Sequence, residues 1–193
     1  MSLKRLIISK NDLIFIYRTR RNLYIPKRTY EGTDIEGKSV KKIGLVGGTG
    51  PESTLMYYKE LNAGIDEATG GKSMPEIAIE SVNFRKAWEM VSGGQYQELA
   101  DYLSEKVRNL AASGAEVISL TAVTMHLVFD ELVRNTGVSL VSIPQAVCKE
   151  AMRLGYKKVG LLGTMATMEN DFMKKDMHQA GIQESYRRRK TES

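Results

Sequence analysis

Thiols and imidazoles are scarce in this sequence: its 193 residues include one cysteine, Cys148, and two histidines, His126 and His178. A single thiol excludes an internal disulfide framework and suits a reducing compartment, so a cytoplasmic location is expected. With so few soft ligands no zinc-type spacing can be assembled, and no metal is expected. Long apolar runs are also missing. Nothing approaches the ~18 residues of a membrane-spanning helix, so no membrane partner is expected. The run Leu13 to Ile16 is short, lies between Asp12 and Arg18, and has no small-residue cleavage site behind it, which makes it a poor signal peptide. No internal repeat or low-complexity segment is present.

What the sequence does have is an ordinary globular composition, 42% hydrophobic and 26% charged, with enough apolar residues for a core. Its net charge of +5 is unevenly placed. Residues 1–40 carry nine basic residues against four acidic ones, leaving 19 of the 28 basic and 19 of the 23 acidic residues for the remainder. The body is neutral, so the overall basicity says little about what it binds, and no nucleic-acid partner is expected. The run Arg187 to Lys190 reads as a solvated tail, with nucleic-acid binding the minority alternative.

From Lys41 onward short β-branched runs alternate with helical patterns. Strands are predicted at Lys42–Val46, Ile77–Val82, Val117–Leu120, Val138–Val141 and Val159–Leu162, each nearly all apolar, as strands buried on both faces of a parallel sheet are. Helices are predicted at Pro51–Glu67, with Leu55, Tyr58, Leu61 and Ile65 on one face, and at Tyr96–Ala112, with a stripe of Tyr96, Leu99, Leu103, Val107 and Leu110. Two more are predicted at Gln145–Leu154 and Thr167–Gln179, closed by Gly155 and Gly181. A further strand is expected to open at Ile182. The alternation implies an α/β, Rossmann-like, doubly wound parallel sheet. Residues 1–40 lack the pattern and are expected to be a weakly ordered basic extension. Residues 41–142 form a first lobe on this reading, and 143–193 a partial second lobe ending in a basic tail.

The sharpest local signal is the stretch Lys42-Ile-Gly-Leu-Val-Gly-Gly-Thr-Gly-Pro-Glu-Ser-Thr54, in which a buried strand enters a glycine-rich turn that opens a helix. Gly47, Gly48 and Gly50 allow close backbone approach, and the free N–H groups of the helix start favour an anion. A dinucleotide site would need a third glycine where Ser53 stands, and an acidic residue after the second strand, where the chain offers Ser81, Val82 and Asn83.

The string GLVGGTGPESTLMYYKELN (Gly44 to Asn62) resembles the amino-terminal signature of the aspartate/glutamate racemase family. Three collinear segments extend the resemblance over about residues 41–184: GAEVISLTAVTMHLVFDEL (Gly114 to Leu132), Ser142-Ile-Pro144, and KKVGLLGTMATMENDFM (Lys157 to Met173). The resemblance implies a two-lobed racemase-type architecture and a cofactor-independent interconversion of L- and D-amino acids. In that chemistry two cysteines flank the substrate α-carbon, one as thiolate base and the other as thiol acid. The expected partner is therefore a small amino acid or dicarboxylate. The implied binding residues are Gly48, Thr49, Glu52, Val123, Thr124, Thr164 and Thr167, from backbone N–H groups and hydroxyls around the ligand.

The departures fall on the reacting groups. The family pattern Cys-x-Asn-Thr-x-His aligns with Thr121-Ala-Val-Thr-Met-His126, so Thr121 stands at the first cysteine and Val123 at an asparagine. The second cysteine is implied in a Gly-Cys-Thr-Glu-like segment that the sequence to residue 193 does not contain. The chain is thus expected to be a truncated, divergent member with an incomplete second lobe and weak or absent racemisation. Cys148 is expected to pack in the core rather than substitute.

Plainer roles stand beside these. The glycines could serve only a tight turn; Thr121, Thr124 and Thr164 could cap helices, and Thr167 is the stronger N-cap candidate. Glu52 and His178 are equally explained by helix dipoles, and His126 by a hydrogen-bonded core position. Two rival functions remain: a nucleotide-binding reductase-like protein, and a non-catalytic fragment or binding paralogue. A sheet with unpaired edges would tend to aggregate or to form a homodimer.

Overall fold

Leucine and valine at every third or fourth position between 96 and 112 give the helix there the apolar stripe around which the first part of the chain is built. In a computed structural model, residues 40–161 and 163–185 are described. The expectations for residues 1–39, for Leu162 and for the tail from Tyr186 lie outside the described residues. The chain divides into two units, with the boundary between Ser142 and Ile143.

The first unit runs β1 (Ile43–Gly47), α1 (Pro51–Ala68), β2 (Ile77–Ser81), α2 (Phe84–Ser92), α3 (Tyr96–Ala112), β3 (Val117–Leu120), a 3-10 segment (Val123–Val128), α4 (Phe129–Thr136) and β4 (Leu140–Val141). All strand pairs are parallel and the order is β2-β1-β3-β4. Ile43 pairs with both Ile77 and Val117, so β1 is central and its run is apolar on both faces. The chain leaves β1 for a neighbour on one side and later returns to the other side. This places a topological switch point at the carboxyl ends of β1 and β3.

One face of the sheet packs on α3. Leu99, Leu103, Val107 and Leu110 are buried with Val46, Ile118 and Leu120 in one cluster, and each α3 side chain contributes about 2 kcal/mol by leaving water. Tyr96, expected in this stripe, is exposed at the first helical position. The helix lies close because β1 has no side chain at Gly44. A Cβ there would sit 3.0 Å from the Ala115 Cβ and 3.2 Å from the Leu110 Cβ.

Helix α1 is rotated from the expected face. Leu55 and Tyr58 are 69% and 48% exposed, whereas Tyr57 is 5% exposed. The physical cause is Thr54, whose hydroxyl is committed to the strand ends and turns positions 54 and 57 inward together. Helix α2 was not anticipated. Its cap is Asn83, whose Oδ1 accepts the Lys86 N–H at 3.3 Å, while the Asn83 N–H donates to the Tyr102 hydroxyl at 2.9 Å.

The second unit comprises α5 (Ile143–Arg153), β5 (Lys158–Gly160), α6 (Met165–Glu169), a 3-10 turn (Asp171–Met173), α7 (Lys175–Gln179) and β6 (Gln183–Ser185). β5 and β6 pair in parallel, Lys158 with Gln183 and Gly160 with Ser185. Ile143, Cys148, Met173, Met177, Val159 and Ile182 are buried in it together with Ala146, Val147 and Ala151. The single helix expected over Thr167–Gln179 is broken at Asn170, which has extended backbone (φ −78°, ψ 158°) and turns its side-chain amide onto the Ala166 carbonyl at 2.9 Å. That local bond competes with helix continuation. The expected cap is corrected as well: Thr164 is the N-cap of α6, and its hydroxyl accepts the Thr167 N–H at 3.2 Å. Among the described residues no helix is long and apolar enough to cross a membrane.

Candidate active site

The glycine turn after β1 is held from three directions. The Gly47 carbonyl accepts the Val82 N–H at 2.9 Å, tying the turn to the end of β2. Gly48 has φ +84°, a left-handed conformation that L side chains rarely adopt. A Cβ on it would meet the Ser81 hydroxyl and lie 2.7 Å from the Val82 carbonyl oxygen. The Gly48 N–H donates to the Thr54 hydroxyl at 3.0 Å. The turn then delivers Pro51 as the first residue of α1, where a missing N–H costs nothing.

Thr54 and Thr121 join the turn to β3. Their hydroxyl oxygens are 3.2 Å apart, and the Thr121 hydroxyl is 3.3 Å from the Val46 carbonyl, which also accepts the Thr121 N–H at 3.0 Å. The Thr54 hydroxyl is also 3.4 Å from the Gly50 carbonyl, so each of the two hydroxyls has a carbonyl to donate to and either can donate to the other. The result is a run of polar contacts from the Gly48 N–H through Thr54 and Thr121 to Val46. Thr121 is 2% exposed, and it makes these bonds in place of the helix cap considered for it.

The following segment is also ordered from inside. Val123 is half-buried, and Thr124 and His126 are buried. His126 Nδ1 lies 3.2 Å from the Ala122 carbonyl oxygen, so Nδ1 carries the proton, and the ring stacks on Phe129 at 5.2 Å between centroids. Burial pushes its pKa down to about 4, against the smaller opposing pull of the Ala122 and Val123 carbonyls. His126 is therefore a neutral core imidazole that shapes the Ala122–Thr124 backbone.

Among the described residues, the backbone N–H groups of Thr49, Gly50 and Glu52 have no protein acceptor, and they sit at the positive end of α1. Glu52 itself is exposed in the first turn. The structure thus brings Gly48, Thr49 and Thr121 together at the carboxyl ends of β1 and β3. Thr164 and Thr167 belong to the second unit, where their hydroxyl oxygens are 3.0 Å apart; Thr164 is exposed and Thr167 buried. At the end of β2, Val82 and Asn83 hold the glycine turn and cap α2, and neither offers the carboxylate that a ribose would need. Among the described residues no three of His, Cys, Asp and Glu converge as metal ligands would.

One participant was missed in the sequence, Thr54. It lies within the quoted Gly44–Asn62 string, but only the spatial approach of α1 to β3 singles it out.

A family model for Asp/Glu/hydantoin racemases matches residues 46–192. The chain belongs to this family. A solved structure of a candidate Asp/Glu racemase from Yersinia pestis is similar at 33% identity, with a TM-score of 0.72 over 77% of this chain and 65% of that one. An aspartate racemase homologue from Pyrococcus horikoshii shares 38% identity at a TM-score of 0.66, over the same shares of the two chains. Aspartate racemase from Picrophilus torridus, at 20% identity and a TM-score of 0.59, covers 75% of this chain and 62% of its own, and shows the common fold. The chain therefore spans slightly less than two thirds of the length of these racemase-type structures. Its parallel α/β architecture is that of the family.

Proposed function

We propose that this chain carries the amino-acid-binding machinery of an aspartate/glutamate-type racemase, working without a cofactor by proton transfer at the substrate α-carbon. On this reading, residues 41–142 are the first lobe and residues from 143 belong to the second. The observation that carries it is the left-handed Gly48 turn, locked by Thr54 and Thr121 at the switch point of a parallel sheet. Such a turn presents backbone N–H groups and a helix N-terminus to an anion, which suits a substrate carboxylate and the negative charge that grows as the α-proton departs.

Thr121 occupies the position that the resemblance assigns to one proton-transfer group. Its hydroxyl is engaged by Val46 and Thr54, and an alcohol is a far weaker acid than a thiol, whose ordinary pKa is about 8.5. Proton removal through Thr121 is therefore slow, and binding outlasts catalysis. Thr124 and Val123, on the adjoining segment, are the proposed side-chain contacts.

The test is exchange of the α-proton of L-aspartate and L-glutamate in deuterated water, followed by NMR, for the wild type and for Thr121→Cys. Saturable binding with slow exchange, accelerated by at least about tenfold in the variant, supports the reading. Rapid exchange by the wild type that Thr121→Val leaves untouched removes Thr121 from the reaction. A wild type that binds neither amino acid overturns the proposal entirely.

A further inference from the structure

Among the described strands, β2 has the outer edge best able to accept another strand. The Ile43 N–H donates to the Glu76 carbonyl at 2.8 Å and the Val82 N–H to the Gly47 carbonyl at 2.9 Å. With Ile43 in register with Ile77, this alternation turns the backbone of Ala78 and Glu80 toward β1 and that of Ile77, Ile79 and Ser81 away from it. Among the described residues these outward N–H and C=O groups have no partner. Edge strands are ordinarily blunted by lysine, proline, a bulge or brevity. β2 runs Ile-Ala-Ile-Glu-Ser in unbroken register and has none of these. By contrast β4 has two residues, and β5 and β6 have three each, with Lys158 on β5.

Apolar surface continues from this edge onto α1. The Ile79 side chain is on the α1 face, because its Cγ2 and the Thr54 Cγ2 crowd the place a Cβ would take on Gly47, at 3.3 and 2.6 Å. It is nonetheless 42% exposed. Parallel crossovers are right-handed, and in that hand the helix turns the residue that follows its sheet-facing position toward the later strand. Leu55 and Tyr58 therefore stand on the β2 flank of α1 and are exposed, whereas Tyr57 turns the other way and is buried. The front of the apolar stripe expected on α1 borders the free edge, not the core.

The occupant that fits is β2 of a second copy. Run antiparallel about Ile79, the strand complements itself: Ile79 meets the partner's Ile79, Ile77 meets the partner's Ser81, and every outward N–H and C=O is satisfied. The charges agree with this register. Like charges directly opposite would repel, but Glu80, the charged residue of β2, falls opposite the partner's Ala78 and lies 3.5 Å from Lys106 of its own chain. The spacing agrees too. With strands about 4.8 Å apart and α1 seated over β1 and β2, the two α1 axes come about 10 Å apart across the seam, a helix-packing distance. From this juxtaposition of a free edge and an exposed apolar flank we infer that two copies join antiparallel through β2 into one continuous sheet, with Leu55 and Tyr58 of each α1 packed across the seam. The inference is independent of the amino-acid-binding reading.

Sedimentation velocity of the full chain, measured as a function of concentration, reads the association. A dimer is expected. Ile79→Lys sets like charges opposite each other on the twofold axis and is expected to raise the dimer Kd at least about tenfold. Oxidative crosslinking reads the register, with the wild type, whose Cys148 is buried, as the blank. Ile79→Cys is expected to form a covalent dimer, because the paired Cα atoms come about 5.5 Å apart. Ile77→Cys, opposite Ser81, is expected to stay unlinked. If Ile79→Lys fails to fold, the crosslinking decides alone. A chain that stays monomeric at all concentrations overturns the inference; protection of the Ile79 amide from hydrogen exchange in that monomer would give the edge to another segment of the same chain. A dimer that Ile79→Lys leaves intact joins through another surface and overturns it equally. So does a link that forms at Ile77→Cys and not at Ile79→Cys.

Discussion

The hydroxyls of Thr54 and Thr121 meet at 3.2 Å although 67 positions separate them, one at the start of α1 and the other at the end of β3. Through this pair the Gly48 N–H reaches the Val46 carbonyl, so the conformation of the glycine turn and the position of α1 are set by one chain of hydrogen bonds.

Thr54→Val keeps the shape of the side chain but breaks this chain in the middle. The Gly48 N–H and the Thr121 hydroxyl each lose a part-buried partner, at a cost of about 2 kcal/mol. Urea unfolding should show that loss with an unchanged slope, and aspartate should stabilise the variant less than the wild type. Full stability in the variant would mean that the turn holds itself.

Gly48→Ala and Gly137→Ala separate conformation from space. Both glycines are left-handed, at φ +84° and +65°, but nothing lies within 4 Å of a Cβ at Gly137, the C-cap of α4. Gly137→Ala should cost about 1 kcal/mol, the intrinsic penalty. Gly48→Ala adds a clash with the Val82 backbone and should cost at least about 2 kcal/mol more, with loss of ligand binding. Equal midpoints in a denaturant titration would contradict the crowding at Gly48.

His126 makes stability depend on pH. Its pKa falls from the ordinary 6.5 to about 4 in the folded protein, so between these values the unfolded chain binds the extra proton. Stability therefore rises with pH through this window, is fully present above pH 6.5, and is lost as pH falls toward 4. The total is on the order of 3 kcal/mol. His126→Gln should remove this component, so the difference between the two pH profiles is the measurement. Parallel profiles would show that the imidazole titrates normally.

Cys148 is 5% exposed in α5, and its thiol donates to the Asp176 carbonyl at 3.2 Å. Burial, with a smaller contribution from the Asp176 charge, pushes its pKa up, away from the reactive thiolate. Labelling by an aromatic disulfide reagent at pH 7 should be slower by at least about a hundredfold in native protein than in denaturant. Comparable rates would place this thiol in an accessible site.

Much of the fold was legible because it follows from local periodicity. The α3 stripe from Leu99 to Leu110, the strand starts near Ile43, Ile77 and Val117, and Pro51 at the head of α1 each rest on a few neighbouring residues. The failures were equally particular. Tyr57 rather than Leu55 and Tyr58 faces inward, because a distant hydroxyl decides the rotation of α1. The helix expected from Thr167 to Gln179 breaks at Asn170, because a side-chain amide captures a carbonyl that the backbone would otherwise use.

By itself, the sequence determined the parallel α/β plan, the glycine turn opening a helix, and the family, since each is written in residues adjacent along the chain. Only the tertiary structure decided that Thr121 is tied to Thr54 and Val46 and that His126 is a neutral core imidazole. Hydrogen-bond partners and desolvation depend on which distant segments the sheet brings to one edge, and no local pattern records that.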